Sequence, residues 1–375
     1  MKKILIDANS IVQYRGFTHL TGIGRSTLML LKELGKRKEL PFEIVIYTQR
    51  IRPGGLETYG LPFKQLRLPF PNQTRFKKLI NFFRVKEALI DYDLCHIPHN
   101  TDIVAKPEKT LFTIHDLMIY KFPDFFPHTE KFSKFARKLI QGSKAVVTCS
   151  FSSKNDISTY WDIPKNKITV IPWGIDRETF YPDSRENIIS AQKKYNIDAP
   201  FFLAVSCNHP RKNVSLILEA YSDLIKKGTD HILVLLWKNP NKHIISKYEE
   251  EIQRGKIKLI GNTSDRVLRA LYSGAAATLF PSLYEGFGFP VLESFACHTP
   301  VITCNNSSLS EVGGNLAHFV SETNPYELTE KMIYFEKNKV KTTEFKSDAE
   351  KHLLRYTCRT MADAYIKLYL GLLEK

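Results

Sequence analysis

The sequence contains no apolar run near the ~18 residues that a membrane-spanning helix needs, no C-x-x-C pair, no internal repeat and no low-complexity segment. The first absence argues against an integral membrane protein. The second argues against a zinc site or a disulfide framework, because Cys95, Cys149, Cys207, Cys297, Cys304 and Cys358 are scattered; a reducing cytoplasm fits such usage. The opening MKKILIDANS has two lysines, but its apolar run stops at Asp7, too short for a signal peptide. Acidic residues are also scarce. Against 54 Lys and Arg stand 39 Asp and Glu, a net charge of +15. Such a balance favours anionic partners: phosphorylated ligands, an acidic membrane surface or nucleic acid. The basic residues form no nucleic-acid-binding motif, so no nucleic-acid partner is expected. No Asp/His cluster suggests a metal, so no metal and no cofactor are expected.

At 375 residues the chain is long enough for two domains. Apolar runs at 2–8, 43–48, 64–68, 93–97, 110–116 and 145–150 read as strands, with helical patterns between several of them. The rhythm restarts with strands at 201–207, 231–237, 258–260, 277–282 and 301–304 and helices at 214–227, 264–273 and 290–297. Strand–helix alternation implies parallel strands with crossover helices. The prediction is therefore an α/β protein of two Rossmann-like parallel sheets facing across a cleft. The Pro-, Gly- and Asp-rich stretch 172–184 marks the joint. The expected domains are 1–176 and 177–356, with a C-terminal helix over 357–375 packing back on the first. In residues 22–36, Leu28, Leu31 and Leu34 recur at helical spacing.

The stretch SLYEGFGFPVLES, 282–294, carries Glu285 and Glu293 around two glycines and a proline. It follows a strand, and Pro290 suits the first turn of a helix. Gly286 and Gly288 let a ligand approach the backbone, and a helix N-terminus favours anions. Acids on either side of such a cradle suit a ligand with phosphates in the middle and hydroxyls at both ends, as in a nucleotide sugar. An ordinary turn flanked by solvated acids explains the spacing equally well. Arg211 and Lys212 lie between a strand and a helix, where two cations can offset charge on a leaving diphosphate. His115 stands at a strand end beside Asp116, and Gly22 and Gly24 open a helix after the first strand. A core histidine bonded to backbone is the plain alternative for His115. Arg25 reads equally as a surface residue. His96 and His99, in HIPHN, are read as part of an acceptor-side wall.

E-G-F-G-F-P-V-L-E resembles the E-x7-E signature of glycosyltransferase family 4, retaining enzymes of GT-B fold. SDRVLRALYSGAAATLFPSLYEGFG, ESFACHTPVITCNNSSLSEVGG, VSCNHPRKNVSLILEAY, GIGRSTLMLLKEL and TIHDL are similar to further stretches of that family, while residues 50–92 carry no motif. The resemblance implies sugar transfer from a nucleoside diphosphate to a hydroxyl with retention, without a metal, with the acceptor bound by domain 1–176 and the nucleotide-sugar donor by domain 177–356. It implies that Glu285 contacts the donor sugar and Glu293 the ribose. The amides of Phe287, Gly288 and Phe289 would face sugar and phosphate, with Arg211 and Lys212 on the diphosphate. Gly22 and Gly24 would face it too, and His115 would orient the sugar or stabilise charge. Two departures stand out: Ser206-Cys207-Asn208 replaces a Gly-Arg common in the family, and His298 replaces a frequent glycine. The PRKN and GIGR variants are similar to those of O-antigen mannosyltransferases, which implies GDP-mannose as donor and polysaccharide or lipopolysaccharide synthesis. UDP- and dTDP-sugars stay open.

Basic and aromatic residues interleave over 72–89 and 128–140. Such segments suit peripheral contact with an anionic membrane, at the cytoplasmic face of the inner membrane, and a glycan or lipid-linked acceptor. Amphipathic helices packed on their own sheet explain them as well. Two rival functions remain at this level: a sugar-nucleotide epimerase of the same fold, and a non-enzymatic basic binding protein, which leaves the two glutamates unexplained.

Overall fold

The computed structural model describes residues 1–12, 20–49, 56, 59–68, 74–99, 103–125, 129–206, 209–338 and 340–374. The chain divides into two compact units, Met1–Gly174 with Cys358–Lys375, and Ile175–Thr357.

In the first unit the apolar runs form β1 (Lys3–Asp7), β2 (Glu43–Gln49), β3 (Lys64–Leu68), β4 (Leu94–Ile97), β5 (Thr110–Thr113), β6 (Ala145–Thr148) and β7 (Ile168–Val170). They pair in the order β3-β2-β1-β4-β5-β6-β7, all parallel. The central strands are buried, whereas β3 exposes Lys64, Gln65 and Arg67, charged cover that discourages edge-to-edge pairing. The helix Gly22–Gly35 buries Thr27, Leu30, Leu31 and Leu34. The apolar stripe is therefore shifted from the expected one, and Leu28 is only half-buried. The tail helix Cys358–Leu373 belongs to this unit. Its Tyr369 lies edge-on to Phe42, and its Asp363 pairs with Arg37 at 2.7 Å.

The second unit holds β8 (Phe201–Ser206), β9 (Ile232–Trp237), β10 (Ile257–Ile260), β11 (Thr278–Phe280), β12 (Val301–Cys304) and β13 (His318–Val320). Their order is β10-β9-β8-β11-β12-β13, again parallel. Helices Val214–Lys226 and Pro325–Lys337 cover one face, burying Leu216, Ile217, Leu328 and Met332 against Phe202, Leu233 and Leu279. The edge strands β7 and β13 were not expected from sequence. Each has three residues, too few for a periodic pattern.

In both sheets the order reverses once, between β1 and β4 and between β8 and β11. At such a point the connections leave in opposite directions and open a crevice beyond the carboxyl ends of the strands, where open α/β sheets bind ligands.

Candidate active site

Beyond β8 the chain turns through a single 3-10 turn, Pro210–Lys212. The His209 ring accepts from the Arg211 N–H at 3.2 Å and starts the turn. Asn213, at φ 54°, ends it and leads into the helix Val214–Lys226. This geometry presents Arg211 and Lys212 together. Beyond β11 the loop 281–288 rises beside them: the Leu283 N–H donates to the Arg211 carbonyl at 2.7 Å, and the Arg211 guanidinium donates to the Tyr284 carbonyl at 3.1 Å.

Glu285 completes the group. Its carboxylate is ion-paired with the Arg211 guanidinium and accepts a hydrogen bond from Lys212 Nζ at 2.7 Å. Lys212 also lies over the Phe280 ring, 4.4 Å from its centre. Glu285 is 8% exposed. Burial pushes its carboxyl up, but Lys212 and Arg211 together outweigh burial and hold it at about 2. Two half-buried cations share this one carboxylate at the switch point of the sheet, an arrangement suited to a further anion.

The loop is held by residues the sequence reading did not single out. The Asn306 amide donates to the Ser282 carbonyl at 3.2 Å. The Glu285 N–H donates to the Ser307 hydroxyl at 3.0 Å. The Ser308 hydroxyl reaches the carbonyls of Glu285 at 2.8 Å and Phe287 at 2.7 Å. Short polar residues in NNSS, just after β12, were the available signal. Gly288 stands at φ 107°, a conformation that side-chain-bearing residues rarely adopt, and a Cβ there would press on the Leu309 side chain at 3.0 Å. Helix Phe289–Ala296 begins at once, with Pro290 in its first turn. Phe287 is buried, its ring edge-on to Phe289 and Tyr356. Glu293, on the same helix, is 5% exposed and accepts the Tyr272 hydroxyl at 3.0 Å. His298 follows that helix at φ 55°, a left-handed conformation that glycine adopts freely, and its ring meets Glu350 at 2.7 Å. The departure is thus accommodated by a left-handed backbone and a hydrogen bond to Glu350. Cys207 and Asn208 lie outside the described residues.

In the first unit, Gly22 and Gly24 are inside the helix Gly22–Gly35. The Gly24 N–H goes to the Thr21 hydroxyl at 3.3 Å, so the cap takes the amide expected to face a diphosphate. Gly24 has a steric duty instead, since a Cβ would stand 2.6 Å from the Ser10 carbonyl oxygen. His115 is 2% exposed, bonded through Nε2 to the Pro98 carbonyl at 3.2 Å and set edge-on to Trp173. Burial pushes its pKa down to about 3. It is therefore neutral near pH 7, able to donate or accept a hydrogen bond but not to supply a positive charge. His96 does not line a wall, because it is fully buried between the Tyr369 and Thr113 hydroxyls at 2.7 and 2.8 Å. Asp7, unremarked in the sequence, is buried at the end of β1. It accepts from the Asn9 N–H at 2.7 Å and faces His99 at 3.5 Å. Burial opposes its charge, but His99 and the Asn9 bond overcome it and hold the carboxyl far below the usual range. Among the described residues no three His, Cys, Asp or Glu side chains converge as a metal site.

The chain is similar to known proteins over most of its length. Residues 20–179 match the family model described as Glycosyltransferase Family 4, and residues 186–352 match Glycosyl transferases group 1. The O-antigen chain mannosyltransferase B of Escherichia coli is 26% identical over 324 residues, 81% of this chain and 84% of that protein. A probable sucrose-phosphate synthase of Thermosipho melanesiensis is 29% identical over 252 residues; the match takes in 64% of this chain and 55% of that longer protein. Among solved structures, Anabaena HepE in complex with UDP and glucose superposes with a TM-score of 0.76 at 17% identity, over 99% of this chain and 100% of that one. That likeness shows the fold. Since the two family models between them take in most of the sequence, the chain belongs to the glycosyltransferases, family 4 and group 1, of GT-B fold.

Proposed function

We propose that this glycosyltransferase moves a hexose, mannose in the first instance, from a nucleoside-diphosphate sugar to a hydroxyl of a glycan or lipid-linked acceptor in cell-surface polysaccharide synthesis, without a metal. The observation that carries the reading is the Arg211–Glu285–Lys212 cluster at the switch point between β8 and β11. The diphosphate lies against the two cations, which stabilise the charge that develops as the glycosyl bond breaks. Glu285, held ionised, accepts from donor-sugar hydroxyls. Glu293 holds the ribose, and neutral His115 orients the sugar by a hydrogen bond. Mannose is supported by the E. coli relative, and GDP follows from that choice of sugar. The HepE complex, with UDP and glucose, makes UDP-glucose the competing donor.

Peripheral membrane contact is the second part of the proposal. Of the two basic–aromatic segments, 128–140 turns Ala136 and Ile140 into its own core. Residues 74–89, the helices Thr74–Phe82 and Val85–Leu89 with the turn between them, bury Ile80 but expose Leu79, Phe82, Phe83 and Leu89, with Phe82 at 79%. Lys78 and Arg84 flank this apolar ridge, which suits an anionic lipid surface. Residues 72–73 and 128 of these segments lie outside the described residues.

The test is a thermal-shift panel of GDP, UDP and dTDP with their sugars, followed by product analysis with the best binder. A ligand that binds only the folded protein raises the melting temperature. GDP-mannose is expected to give the largest shift. Arg211→Ala and Lys212→Ala should remove it, and a shift that survives in both variants sinks the reading.

A further inference from the structure

The first unit buries a polar group of its own at the carboxyl ends of β1 and β2, beside the switch point between β1 and β4. Asp7, the last residue of β1, lies opposite Tyr47 of β2. Tyr47 packs in the apolar cluster that holds Leu5, Val45 and Leu68. Gln49 ends β2 two residues later, in register with Leu68, so strand alternation turns its side chain to that same face. Lys86 enters from the helix Val85–Leu89, 2% exposed, and its Nζ donates to the Tyr47 hydroxyl at 3.1 Å. Asn9 ties the strand ends together: its Nδ2 donates to Asp7 Oδ1 at 2.8 Å, and its Oδ1 accepts the Gln49 N–H at 2.9 Å. His99 stands 3.5 Å from Asp7 on the outer side, its side chain 20% exposed. Within this group Gln49 is 1% exposed, and its Oε1 has no hydrogen-bond partner among the described residues.

A buried carbonyl without a donor costs stability. Burying an aspartate and a lysine together gains little over apolar residues of the same size. The fold keeps both features where open α/β sheets bind ligands. We infer that Gln49 is a specificity-determining residue whose side-chain oxygen accepts a hydrogen bond from a hydroxyl of a neutral sugar acceptor, with Asp7 and Asn9 holding the strand end that presents it. The inference rests on the reading of this chain as a transferase acting on a hydroxyl, and it narrows the acceptor to the sugar terminus of a glycan. An amide oxygen can only accept. A sugar hydroxyl supplies the proton it lacks, whereas an ionised phosphate monoester brings more acceptors. Lys86 and Asp7 attract one another across the group, and charges that offset each other favour a neutral ligand over an anionic headgroup.

The test is saturation-transfer NMR titration of wild type and Gln49→Met with the methyl α-glycosides of mannose, glucose and galactose, and with methyl phosphate as the anionic probe. The melting temperature of each protein is recorded alone and with nucleoside diphosphate. Wild type should bind at least one glycoside, and Gln49→Met should weaken it by about tenfold, the loss of one bond with its buried partner. Methyl phosphate should not displace the glycoside. Gln49→Met should melt no earlier than wild type, because an apolar side chain of similar shape removes the unpaired carbonyl. Its nucleotide shift should match that of wild type, since the two cations belong to the other unit. A variant that melts well below wild type shows that the fold already uses the amide, and one that keeps the glycoside affinity shows that no ligand does; either overturns the inference. So does a wild type that binds no glycoside, or one from which methyl phosphate displaces it. A wild type that binds glycoside through Gln49 but gives no nucleotide shift fails as a transferase, and the acceptor assignment falls with that reading. Gln49→Asn, which withdraws the amide by one methylene, repeats the titration should the methionine variant not fold, with the same loss expected and retention overturning it.

Discussion

Glu285 is the residue on which stability and activity meet. Its folded pKa of about 2 lies below the ordinary 4.5. Its contribution to stability is therefore complete above pH 4.5 and is lost as pH falls toward 2. His96 and His115 add to the same acid limb, because burial holds both near 3, below the usual 6.5. The unfolded chain takes up those protons first, so stability falls from about pH 6.5 downward. Acid titration followed by circular dichroism should show both phases, with the lower one shallower in Glu285→Gln. That variant leaves two cations unbalanced and should cost about 3 kcal/mol by chemical denaturation. It should also bind a free nucleoside diphosphate at least as tightly as wild type while losing at least about a hundredfold in transfer. Weak binding with intact turnover would contradict the assignment. The sequence singled out Glu285, Arg211 and Lys212 by type and by position after strands. It could not say that they touch.

Among the elements, the helix Gly22–Gly35 shows sterics winning over propensity. Alanine favours a helix over glycine by about 1 kcal/mol, but a Cβ at position 24 would collide with the Ser10 carbonyl. Gly24→Ala should lower the melting temperature. Gly371, in the tail helix, has nothing within 4 Å of a built Cβ, and Gly371→Ala should stabilise by about 0.5–1 kcal/mol. Equal effects from the two alanines in differential scanning calorimetry would contradict this account. Most strands were legible because an apolar run is a local signal; β3 and β12 fell where the pattern put them. The edge strands β7 and β13 were not, and neither was the Asn306–Ser308 stitching, since those polar residues acquire a purpose only beside a loop more than twenty positions earlier.

At the scale of the whole molecule, the charge of +15 and the exposed Phe82–Phe83 ridge bear on where the enzyme works. Flotation with vesicles rich in anionic lipid should carry the protein upward at low salt. Phe82→Ser with Phe83→Ser should weaken this, as should salt of about 0.5 M, which shortens the screening length to a few ångströms. A protein that never co-floats removes the membrane from the proposal. No helix among the described residues is long and apolar enough to cross a membrane.

Strand–helix alternation was enough to determine two parallel sheets, because hydrophobic period is a local property. The E-x7-E stretch by itself announced a loop and a helix built around two acids. Tertiary structure decided the rest. The strand order places β8 beside β11, and only that adjacency joins Lys212 to Glu285 across 73 residues of sequence. Burial, equally non-local, turned His115 neutral, took His96 out of reach and gave Glu293 its tyrosine. Pairing and desolvation depend on neighbours brought from far along the chain, and no window of sequence contains them.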